Sequence, residues 1–115
     1  MSEMRELYPV RACEYEPNEE NNELITVLYI NKNPSFIEKL FFKKQLAKPV
    51  KIDLDEIGSY IWLKCDGSKN VNELINEAKE HFGEKIEPAE ERTELFVNQL
   101  VKNKLAVLYK KKESD

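Results

Sequence analysis

The stretch "IDLDEIGSYIWLKCDG", residues 52–67, passes from a strand into a helix and stops at Asp-Gly. Its reading decides where the chain changes architecture. Val50, Ile52 and Leu54 alternate with Lys51 and Asp53, the period of a half-buried strand. Asp55 suits a helix N-cap, because its carboxylate can accept hydrogen bonds from the free amides of the first turn. The helix that follows is expected to run to about Cys65, with Ile57, Tyr60, Ile61 and Cys65 on one stripe and Trp62 extending it sideways. Gly67 supplies the left-handed stop that a helix end favours. Gly58 is the misfit, since glycine inside a helix is about 1 kcal/mol less favourable than alanine. We expect it to let the helix backbone press close against the sheet or the third helix.

Upstream, residues 1–10 show no usable period and are expected to fray. Residues 11–16, "RACEYE", read as a short strand with Ala12, Glu14 and Glu16 on one side, ending at the turn-forming "PNEENN". Residues 23–30, "ELITVLYI", form the clearest strand, dense in β-branched and aromatic residues. In "NPSFIEKLFFKKQLAKP", Ser35 and Glu38 make a capping box, and Phe36, Ile37, Leu40 and Phe41 fit a short amphipathic helix.

Downstream, Asn70 and Glu73 cap a second helix carrying Val71, Leu74, Ile75, Ala78 and Phe82, which Gly83 ends. Pro88 is placed at the start of a third helix, where a missing amide is harmless, with Thr93, Phe96, Val97 and Leu100 facing inward. "LAVLY" follows as an extended closing segment. Three strands before three helices define an α+β, winged-helix-like domain. It is expected over residues 11–109, with a flexible arm at 1–10, a lysine-rich insertion at 31–49 and a charged tail at 110–115.

The chain has 115 residues, 41% hydrophobic and 35% charged, a size that supports one modest core. It contains no apolar run of membrane-spanning length and no basic-then-apolar start of a signal peptide, so a cytoplasmic location is expected. Cys13, Cys65 and His81 fall short of a zinc set or a disulfide framework, and neither metal nor cofactor is expected. The net charge of −4 conceals a segregation: residues 1–23 hold seven acids and two bases, and residues 32–51 hold six lysines and one acid. Enzyme chemistry is not expected. His81 sits at the polar end of the second helix, Cys65 lies on an inward stripe, and Asp53, Asp55 and Glu56 read as a cap and two surface charges.

Residues 50–108, in particular "IDLDEIGSYIW", "DGSKNVNEL" and "FVNQLVKNKLAVL", resemble the PqqD family. Leu54, Asp55, Gly58, Ile61, Trp62, Asp66, Gly67, Val71, Glu73, Phe96 and Leu100 occupy its pattern positions. Lys104 stands where the pattern often has glycine, and Asn103 is expected to supply the left-handed residue instead. The resemblance implies a small non-catalytic peptide-binding module, also called a RiPP recognition element. Such a module holds the leader of a ribosomally made precursor peptide and presents it to a modifying enzyme, commonly a radical S-adenosylmethionine enzyme.

Strand addition is the physical route to such binding. An edge strand formed by Val50, Lys51, Ile52, Asp53 and Leu54 can zip to an extended ligand. The adjacent third-helix strip of Arg92, Leu95, Gln99 and Asn103 can hold ligand side chains. The lysines of the insertion can steer an acidic leader, and a free edge equally permits a homodimer. The alternatives are a winged-helix DNA-binding regulator and a docking subunit without peptide binding. The acidic third-helix start, "EPAEERTE", repels phosphate, and no nucleic-acid partner is expected.

Overall fold

Asp55 opens the first helix as its sequence requires: the residue is extended at its own backbone, and its Oδ1 accepts a hydrogen bond of 2.7 Å from the Gly58 amide. Around that helix, a computed structural model of the chain describes residues 3–29 and 50–110. Its strands are β1 (Tyr8–Arg11), β2 (Glu14–Pro17), β3 (Ile25–Tyr29), β4 (Val50–Asp53) and β5 (Ala106–Tyr109). The helices are α1 (Glu56–Lys64), α2 (Val71–Phe82) and α3 (Ala89–Lys102), with 3-10 turns at Glu3–Glu6 and Gly83–Ile86. The class is α+β, with strands leading into three helices, as the sequence implies. The expected helix beginning near Ser35, and with it the insertion at 31–49, lies outside the described residues.

The chain forms two compact units, one spanning Cys13–Leu54 and the other joining the residues up to Ala12 with those from Asp55 onward. In the first unit, β2, β3 and β4 make an antiparallel sheet in that order. Its register pairs Glu16 with Thr26 and Thr26 with Asp53, then Glu14 with Leu28 and Leu28 with Lys51. Because successive side chains alternate, Glu14, Glu16, Thr26, Leu28, Lys51 and Asp53 share one face. The β2–β3 turn is fastened by Asn18, whose Oδ1 accepts from the amides of Glu20 at 2.8 Å and Asn21 at 3.2 Å.

In the second unit, α2 carries the full capping box: the Asn70 side chain accepts from the Glu73 amide, and the Glu73 carboxylate accepts from the Asn70 amide. Its buried side chains are Val71, Leu74, Ile75, Ala78 and Phe82, the stripe read from the sequence. Thr93, Val97 and Leu100 are buried on α3, Phe96 is half-buried, and Ile61, Trp62 and Cys65 are buried on or beside α1. The α1 helix stops at Lys64 with Cys65 as its C-cap, and Gly67, at φ 86°, turns the chain beyond it.

Four expectations are corrected. Residues Glu3–Arg11 are structured rather than frayed: β1 pairs antiparallel with β5, Tyr8 opposite Tyr109 and Arg11 opposite Ala106. The same segment clamps the end of α1 through bonds from the Arg11 amide to the Cys65 carbonyl (2.9 Å) and from the Gly67 amide to the Pro9 carbonyl (3.0 Å). The strand expected over residues 11–16 is divided, because Arg11 ends β1 and Glu14 begins β2, each in a different sheet. Finally, Pro88 is the N-cap of α3 rather than its first helical residue, and Asn103 closes that helix at φ −93°. Lys104, at φ 66°, takes the left-handed position assigned to Asn103. The Asn103 amide and side-chain Nδ2 both donate to the Gln99 carbonyl, which holds it in its right-handed cap conformation.

Candidate functional site

The strand residues Val50–Asp53 and the adjoining Leu54 belong to the sheet unit, whereas Arg92, Leu95, Gln99 and Asn103 lie on or just after α3 in the helical unit. Each surface is described on its own.

In the sheet, β4 stands at an edge: β3 flanks one side, and no strand flanks the other among the described residues. The Leu54 amide donates to the Ile25 carbonyl at 2.9 Å, which extends the β3–β4 register by one pair. Hydrogen-bonded and non-hydrogen-bonded pairs alternate in an antiparallel ladder, so Ile52 is the next residue to bond β3, at Val27. Lys51 and Asp53 sit at the intervening positions. Their backbone N–H and C=O groups are therefore directed away from β3, the donor–acceptor row an added strand needs.

The side chains at that edge differ in how they are held. Lys51 Nζ lies 3.4 Å from Glu19 Oε2 and 3.7 Å from Glu16 Oε2, so it leans toward the β2 side of the sheet. The hydrogen bond to Glu19, reinforced by the charges of Glu19 and Glu16, raises the Lys51 pKa above that of an ordinary lysine. Asp53 is fastened from behind: Asn18 Nδ2 donates to Thr26 Oγ1 at 3.3 Å, and Thr26 Oγ1 donates to Asp53 Oδ1 at 2.8 Å. Thr26 on the central strand and Asn18 in the β2–β3 turn thus support the edge residue Asp53, a role that strand periodicity alone does not single out. Their signal is the cross-strand register, which puts Thr26 directly opposite Asp53.

On α3, Leu95 is 57% exposed, an isolated apolar side chain between exposed Arg92 and Gln99. The Arg92 guanidinium donates from Nη1 to the Lys85 carbonyl at 2.8 Å, which draws its head toward the turn preceding the helix. Asn103 is occupied as the cap. Leu95 is the member of the strip with exposed apolar surface.

The nucleophile and base candidates have structural settings. Cys65 is buried, its Sγ donates to the Ile61 carbonyl at 3.2 Å, and burial pushes its pKa up to about 12. Exposed His81 stacks on Tyr60 with ring centroids 4.4 Å apart. Among the described residues, no group of three His, Cys, Asp or Glu side chains could hold a metal ion, and no helix is long and apolar enough to cross a membrane.

The class is α+β, with β4 at a sheet edge among the described residues and side-chain N-caps on α1 and α2. The family model for coenzyme PQQ synthesis protein D (PqqD) matches residues 46–106, and the chain belongs to that family. Its members are in general peptide-binding proteins associated with the modification of ribosomally made peptides, and they act as non-catalytic accessories. No curated protein and no solved structure matched the chain significantly.

Proposed function

We propose that this protein is a non-catalytic chaperone that binds the leader of a ribosomally made precursor peptide and presents it to a modifying enzyme of the radical S-adenosylmethionine class. The observation that carries this reading is the outward row of backbone groups at Lys51 and Asp53 on β4. Each outward residue offers one donor and one acceptor, so a short extended segment can add about four hydrogen bonds without rearranging the sheet. Leu95 supplies a second, apolar contact surface on α3. Family membership supports the peptide as ligand.

The test uses synthetic peptides covering the N-terminal segments of short proteins encoded beside this chain's gene, with amide hydrogen exchange as the readout. A leader that adds to β4 slows exchange at Lys51 and Asp53 and leaves Ile52, already bonded to β3, unchanged. Leu95→Asp is expected to weaken binding with the fold retained, since the side chain is exposed. If no peptide protects the two β4 amides, the strand-addition reading fails.

A further inference from the structure

We propose that the β4 edge selects a peptide strand carrying a lysine or arginine opposite Asp53. This deepens the peptide-binding reading and rests on it. Three observations converge on the charge. First, Asp53 and Lys51 are the residues whose backbone groups face an incoming strand, so the ligand residues paired with them stand on the same face as their side chains. Directly opposed side chains on adjacent strands have Cβ atoms about 4.5–5.5 Å apart, close enough for ion pairing. Second, the cation on that face is turned away from the edge: Lys51 Nζ is engaged by Glu16 and Glu19 on the β2 side. Glu14, Glu16, Glu19 and Asp53 leave the described part of this surface with an excess of carboxylate. Third, the Asp53 carboxylate is pre-set. The chain of bonds from Asn18 through Thr26 to Asp53 Oδ1 holds one oxygen toward β3, so little side-chain freedom remains to be lost on pairing.

The ligand class follows. It is an extended segment with a cationic side chain at the position paired with Asp53, and an acidic side chain there meets a fixed like charge. An opposed charge pair in a sheet changes affinity by up to about fivefold. Asp53 acts here as a specificity residue for the peptide and has no catalytic part.

The test pans a phage-displayed library of random dodecapeptides against the full chain, followed by amide mapping of the selected peptides. Those that shift the Lys51 and Asp53 amides are expected to be enriched in Lys or Arg at one register position. Replacing that residue with Glu should weaken binding about fivefold, a difference that Asp53→Asn abolishes and Asp53→Lys reverses. Asp53→Asn keeps the acceptor for Thr26, so its result does not depend on tolerance of the bulkier lysine. Selected peptides that bind at β4 with no charge preference, or with an acidic preference that Asp53→Asn leaves intact, overturn the proposal and leave strand addition standing. Failure of every selected peptide to shift the β4 amides overturns both.

Discussion

Substituting Gly58 with alanine sets two effects of known sign against each other. In a helix interior the change is favourable by about 1 kcal/mol through backbone propensity. A Cβ at position 58, however, would lie 3.1 Å from Asp55 Oδ1 and 3.2 Å and 3.4 Å from the Cε1 and Cζ atoms of Phe96. Ordinary carbon contacts fall near 3.5–4.0 Å, so both neighbours must retreat by a few tenths of an ångström. Asp55 is the N-cap of α1 through its 2.7 Å bond with the Gly58 amide, and a weakened cap costs about 1 kcal/mol. Crowding Phe96 adds about 1–3 kcal/mol. The opposing terms leave Gly58→Ala less stable by about 1–3 kcal/mol. With a urea slope of about 1 kcal/mol per molar, the unfolding midpoint should fall by at least about 1 M at unchanged slope. In a Phe96→Ala background the same substitution should be milder by about 1 kcal/mol, because one of the two contacts is gone. A midpoint that rises in the otherwise native protein refutes the close-approach account and leaves helix propensity in command.

Two further outcomes follow from the helical unit. Asn70→Ala removes the acceptor of the Glu73 amide at the start of α2 and should lower stability by about 1 kcal/mol, read as a fall of roughly 4 °C or more in Tm; an unchanged Tm would mean the capping box carries no net stability. For Cys65, burial raises the folded-state pKa from 9.0 to about 12, so below the lower value both states keep the proton and the thiol adds no pH dependence. Between the two values only the unfolded state ionises, and stability should fall by about 1.4 kcal/mol per pH unit. Cys65→Ala should remove that contribution from the alkaline slope of the urea midpoint, whatever it does to the absolute stability; equal slopes in the two proteins would contradict the buried-thiol assignment.

Local patterns made the middle of this chain legible and its ends opaque. The stretch around Asp55 and the run from Asn70 to Phe82 carry caps, stripes and stops within a few residues of one another, and these determine the helices as observed. β1 has only four residues, with Pro9 among them, and its partner β5 begins at Ala106, so nothing within a short window signals the pairing. The same distance hides the role of Arg11. Its guanidinium Nη1 donates to the carbonyls of Trp62 and Leu63 at 3.1 Å and 2.9 Å, placing a cation at the C-terminal end of α1, where the helix dipole favours it. In the candidate site, alternation picks out the strand at residues 50–54, but periodicity has no term for what lies across the ladder. Hence Asp53 was legible as a strand residue, whereas its fastening through Thr26 and Asn18 was not.

That difference bears on how binding and stability can vary independently. Asp55 is the first residue of the helical unit after the sheet and caps its helix, while Asp53, two residues earlier, uses its carboxylate inside the sheet. Two aspartates of one short stretch thus serve opposite ends of the energy balance. Asp55 satisfies an orphan backbone donor, and its loss registers in unfolding. Asp53 is exposed, and its backbone groups face away from β3, so changing its charge leaves the ladder bonds to β3, carried by Ile52 and Leu54, in place. Within "IDLDEIGSYIWLKCDG", the proposed ligand preference thus falls to the first aspartate, whose carboxylate accepts from Thr26 inside the sheet, while the second aspartate caps α1.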